Sequence, residues 1–98
     1  MGLRDVVQEM KKSRVRNAYT ERLGVVGIMS PNAAPDRARV AELLAEYDGI
    51  IVGRAELPCS ERNMTLICVS IKVTTNVLGA FTGKLGLVDG VKVKSMLL

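Results

Sequence analysis

The chain has 98 residues, 48% of them hydrophobic, with a net charge of +4, two Cys, three aromatic residues and no His or Trp. One domain of this size buries roughly two thirds of the surface its unfolded form exposes, enough for a core without disulfide or metal staples and too little for a second domain. The missing histidine excludes histidine catalysis and histidine metal ligation before any pattern is read.

The charge is unevenly placed. Arg4, Lys11, Lys12, Arg14, Arg16 and Arg22 face only Asp5, Glu9 and Glu21, whereas the rest of the chain is close to neutral. No run of 18 apolar residues exists to span a membrane. Leu3, Val6, Val7 and Met10 are interrupted by charges, so the start lacks the apolar core of a secretory signal. These features predict a cytoplasmic, reducing location, with Cys59 and Cys68 as free thiols.

In chain order, Leu3, Val6, Val7 and Met10 fall at the spacing of one helix face, which predicts an amphipathic helix over 3–19. Residues 23–29 form a short, charge-free apolar run, read as a strand buried on both faces. Ser30, Pro31 and Asn32 break it. Pro35 and Asp36 suit a first helical turn, Val40, Leu43, Leu44 and Tyr47 supply the stripe, and Asp48-Gly49 is the stop. A strand over 50–57 is closed by Pro58, and 58–63 reads as a hairpin loop. The long strand 64–74 puts Ile67, Val69, Ile71 and Val73 on one face and Leu66, Cys68, Ser70 and Lys72 on the other. Thr75 or Asn76 caps a second helix with the stripe Val77, Leu78, Phe81 and Leu85, ended by Gly86. In the last strand, 90–97, Val91 and Val93 alternate with Lys92 and Lys94.

The expected order is therefore a helical extension over 1–21 and a β-α-β-β-α-β unit over 22–98. This is an α+β, ferredoxin-like arrangement: an antiparallel sheet with both helices on one face and the first and third strands central. The fold hosts many functions, so function has to come from sites. Two Cys nine positions apart cannot hold an iron–sulfur cluster, which takes about four thiolates, and no C-x-x-C pair is present. RNA-binding domains of this order stack bases on strand aromatics, and the third strand here has none. Gly79 to Lys84 is one residue short of a phosphate loop, and Leu85 stands where Ser or Thr is required. Gly79 and Gly83 lie one helical turn apart, which predicts a close approach by the sheet or by another subunit.

One candidate ligand site remains: Ser30, Asn32 and Asp36 at the start of the first long helix, where backbone amides and short polar side chains can receive a small polar group. No nucleophile has an adjacent base, no carboxylates pair, and no metal or cofactor set is assembled. The basic extension offers only weak electrostatic attraction for nucleic acid.

Three stretches resemble a known family. They are Tyr47-Asp48-Gly49-Ile50-Ile51-Val52-Gly53-Arg54, the loop from Pro58 to Arg62, and Gly79-Ala80-Phe81-Thr82-Gly83-Lys84-Leu85-Gly86 with its downstream Gly90-Val91-Lys92-Val93-Lys94. They resemble the small iron-only hydrogenase system regulators, and the likeness runs from about residue 22 to residue 98. The resemblance implies an ACT-like domain, similar in fold to the C-terminal domain of the nickel-responsive repressor, without that protein's metal site or a complete DNA-binding domain. It implies a non-enzymatic regulatory or accessory role, as a homodimer or higher oligomer that senses a small effector, or as a scaffold for hydrogenase maturation proteins. The sheet face away from the helices, with Leu66, Cys68, Met96 and one side of the first strand, is the expected interface, to be covered by a second subunit or by the apolar stripe of the N-terminal helix.

Overall fold

The computed structural model describes residues 20–98; the helix expected over 3–19 lies outside them. The elements are β1 (Arg22–Pro31), α1 (Asp36–Glu46), β2 (Ile51–Cys59), β3 (Met64–Val73), α2 (Thr75–Gly86) and β4 (Lys92–Leu97). The sheet order is β2-β3-β1-β4, with every neighbouring pair antiparallel. The ferredoxin-like α+β arrangement is thus observed, with the two most apolar strands at the centre.

Period-two alternation builds the core. Val26 and Ile28 on β1 and Ile67, Val69, Ile71 and Val73 on β3 point to one side and are buried. Val40, Leu43 and Leu44 of α1 and Phe81 and Leu85 of α2 close over them. Where the helices meet, the Tyr47 and Phe81 rings lie 4.9 Å apart, tilted by 43°. Lys84 Nζ stands 5.1 Å from the Tyr47 ring centroid and bonds Glu46 at 2.9 Å. The Glu46 bond first, and Tyr47 second, raise the Lys84 pKa above its ordinary value.

Three local details differ from the expected boundaries. Thr74, one residue earlier than expected, caps α2 by accepting a bond from the Val77 amide, and Val77 is exposed. Pro58 lies inside β2, which an edge strand tolerates because an outward-facing position needs no N–H. Gly79 and Gly83 are exposed, and a Cβ at either would meet nothing within 4 Å, so the sheet makes no close approach there. Glycine is required instead at Gly90, which enters β4 with φ +73°, and where a Cβ would lie 2.9 Å from Pro31 Cγ. Among the described residues, no helix is long and apolar enough to cross a membrane.

Candidate functional site

The three expected ligand residues have different surroundings. Ser30 continues the parity of Val26 and Ile28, so its side chain is fully buried, and its Oγ donates to the Pro31 carbonyl at 3.0 Å. Asn32 is a brace: its amide donates to the Asn63 carbonyl at 3.0 Å, and its Oδ1 accepts from Thr65 Oγ at 2.6 Å. These bonds tie the end of β1 to the β2–β3 hairpin, which turns through Asn63 in the left-handed region. Asp36, half-buried, lies apart from both.

Asp36 begins α1 and lines an open groove of about 310 Å3 together with Pro35, Arg39, Lys84, Leu87, Val88 and Asp89. The groove runs between the start of α1 and the end of α2, so residues from both helices and the following loop meet there. Two carboxylates and two cations border it, and each cation also pairs with a carboxylate outside the lining: Arg39 with Glu42 at 3.1 Å and Lys84 with Glu46 at 2.9 Å. Such a border suits a small molecule carrying both charges. Among the described residues, no group of three or more Cys, Asp or Glu could hold a metal ion.

A second feature is the sheet face away from the helices. The register puts Leu23, Val25 and Met29 of β1, Leu66 and Cys68 of β3, Leu57 of β2 and Met96 of β4 on that side. Leu23 is 58% exposed, Leu57 56% and Met96 59%. Lys72, Lys92 and Lys94 share the face, so the apolar patch is flanked by positive charge.

The third feature was not foreseen, because it joins residues distant in sequence. On the helix side of β2, Glu56 Oε1 accepts from Arg54 on its own strand, at 2.5 Å, and from Arg37 of α1, at 3.1 Å. The Arg54 bond first, then the Arg37 bond, hold the Glu56 carboxyl below its ordinary value of 4.5. A depressed carboxylate contributes stability above its unfolded pKa and loses it as pH falls through the folded value. Because the Glu56 side chain is 38% exposed, the contribution is small, about 0.5 kcal/mol. Glu56→Gln is expected to flatten the acid limb of a stability–pH profile below pH 4.5 by that amount. Superimposable acid limbs for the two proteins, followed by thermal melts, would contradict this role.

Comparison with known proteins fits this architecture. The TM1266-like family model, which carries the description iron-only hydrogenase system regulator, matches residues 22–95. No curated protein matches. Among solved structures, the chain is similar to the uncharacterized protein TM1266 from Thermotoga maritima, with 32% identity and a TM-score of 0.77 over 80% of this chain and 98% of that one. The match to the family model spans both helices and nearly all of the four-stranded sheet, and on that evidence the chain belongs to the TM1266-like family.

Proposed function

We propose that the chain is a non-catalytic, cytoplasmic regulatory subunit of an iron-only hydrogenase system, working in the ACT-like manner as an oligomer whose arrangement responds to a small ligand. The observation that carries this reading is the apolar sheet face that no described residue covers, since patches of this kind on a small domain mark interfaces. The groove beside Asp36 supports the sensing half. Its volume of about 310 Å3 is at the lower end of small-molecule pockets, and its mixed charges suit an amino acid or a similarly small polar effector. A ligand that binds one subunit arrangement better than another shifts the balance between them.

Thermal-shift screening of amino acids and nucleotides tests the sensing half. A ligand present at a hundred times its dissociation constant adds about 2.7 kcal/mol, which for a domain of this size raises the melting temperature by roughly 10–20 °C. Asp36→Asn is expected to weaken that response; a screen in which nothing stabilises the chain contradicts sensing. The oligomer half is tested separately by Met96→Lys, which places a charge in the apolar face and is expected to lower the mass measured by light scattering. The flanking Lys72, Lys92 and Lys94 favour a second reading, a scaffold that presents this face to an acidic-rimmed hydrogenase maturation protein. Co-purification of such a partner together with an empty ligand screen would select it.

A further inference from the structure

No described residue covers the sheet face away from the helices, and the stripe of Leu3, Val6, Val7 and Met10 is a second apolar surface on the same chain. A helix whose stripe runs for only two to three turns is marginal in water by itself, so it gains from packing on something apolar. The family match begins at residue 22, which makes this segment an addition to the body that the family shares. Its charge is also distinct. Residues 3–10 carry Asp5 and Glu9 against Arg4, whereas Lys11, Lys12, Arg14 and Arg16 follow the stripe. The stripe segment is thus slightly acidic, and Lys72, Lys92 and Lys94 flank the face.

Length and entry point bring the two surfaces together. The extension joins the sheet at β1, a central strand, and Leu23, the second residue of that strand, already lies on the face. From Leu23 to Met29 the face is about 20 Å long, and its four strands are about 14 Å across. Residues 11–21 separate the stripe from β1. They span about 16 Å as a helix and at most about 36 Å when extended, so the stripe reaches the middle of the face in either form. That middle is a hollow, where Ala55, Cys68 and Gly27 form a row of small residues between the rows that hold Val25 and Met29. Eight helical residues are about 12 Å long and about 10 Å wide, enough to fill the hollow and to cover a little under half of the face.

We infer that residues 3–10 dock as a helix on the sheet face of their own chain, over Cys68, and there compete with the binding of a second copy. The competition rests on the proposal that this face self-associates; the docking itself does not. A short tether holds the stripe at a millimolar effective concentration, so its own face takes it in preference to the face of a second chain at micromolar concentration. Copies then associate only from chains whose stripe has lifted, and their apparent affinity falls with the fraction that is open. The extension therefore tunes how readily the chain self-associates, and anything that draws the stripe away frees the face.

Two measurements on the full chain test this. In the first, a nitroxide is attached at Gln8→Cys, on the side of such a helix away from the stripe, in a chain carrying Cys59→Ser and Cys68→Ser. It is expected to broaden the amide resonances of residues 25–29 and 66–70 in its own chain, and to broaden them less in an isotope-enriched, unlabelled chain mixed with it. In the second, Val7→Asp sets a charge in the stripe. It is expected to relieve the broadening and to strengthen self-association about tenfold, the change for a face open in about one chain in ten. Absent broadening, broadening stronger across copies than within one, or a Val7→Asp chain unchanged in both readings would each overturn the docking. If broadening is absent while Met96→Lys still lowers the mass, the docking fails and the oligomer reading stands. If Val7→Asp relieves the broadening and the chain stays a single copy throughout, the docking stands and the oligomer reading fails.

Discussion

Phe81→Ala is expected to cost about 3–5 kcal/mol, a large part of the 5–15 kcal/mol that holds a domain of this size together. Phe81 is fully buried and is the largest side chain in the core. Its ring packs against Tyr47 at the end of α1, so it also fixes how α1 and α2 sit against each other. Truncation leaves a cavity that neighbouring side chains fill only in part, because the helices are anchored on the sheet at Leu43, Leu44 and Leu85. Chemical denaturation is expected to show a midpoint far below that of the original chain, and thermal melts a drop of roughly 15–30 °C. Phe81→Leu keeps most of the apolar volume and is expected to cost no more than about 1.5 kcal/mol. A loss below about 1 kcal/mol for the alanine variant would mean that Phe81 does not hold the two helices together.

Gly24→Ala is expected to pry β4 from β1. A Cβ at position 24 would lie 2.5 Å from the Met96 carbonyl oxygen and 2.8 Å from Leu97 Cδ2, and the carbonyl belongs to backbone that cannot swing aside. Relief requires the end of β4 to move, at a cost of about 1–3 kcal/mol. Gly27 is the internal control on the same strand, since its nearest neighbour would be the Lys94 carbonyl at 3.9 Å. Hydrogen exchange is expected to quicken at the β4 amides in Gly24→Ala and to stay unchanged in Gly27→Ala; equal behaviour of the two would contradict the close approach. The displacement also moves Met96, so Gly24→Ala is expected to weaken self-association through the open face.

Much of this fold is legible in residue patterns, because its elements are strongly periodic. The alternation along β3, the stripe of Val40, Leu43 and Leu44, and the apolar richness of β1 each have one low-energy arrangement, and they agree with one another. Boundaries read less well: Thr74 and Thr75 are chemically equivalent caps, and only the backbone decides between them. Ser30 was open to a better reading. Carrying the alternation of Val26 and Ile28 two residues further puts it in the core, where its hydroxyl bonds backbone. Asn32 could not be read this way, since its partner Thr65 is 33 residues away and nothing local marks the pairing.

The Arg37–Glu56–Arg54 cluster was hidden for the same reason, as it depends on α1 lying beside β2. Pro58 did carry a signal. A proline within a β-branched or alternating run points to an edge strand as readily as to the end of one, and here it sits inside the edge strand. The exposed face was anticipated from Leu66, Cys68 and Met96, because α1 and α2 on one side of a single sheet leave the other side for something else to cover.

The central claim is that this apolar face, which no described residue covers, makes the chain a self-associating regulatory platform. Sedimentation velocity of the full chain over a hundredfold dilution, through the micromolar range, tests it most directly. The account predicts species of at least two chains that dissociate on dilution and, at any one concentration, are reduced in mass by Met96→Lys. A folded chain that sediments as a single copy at every concentration would contradict it.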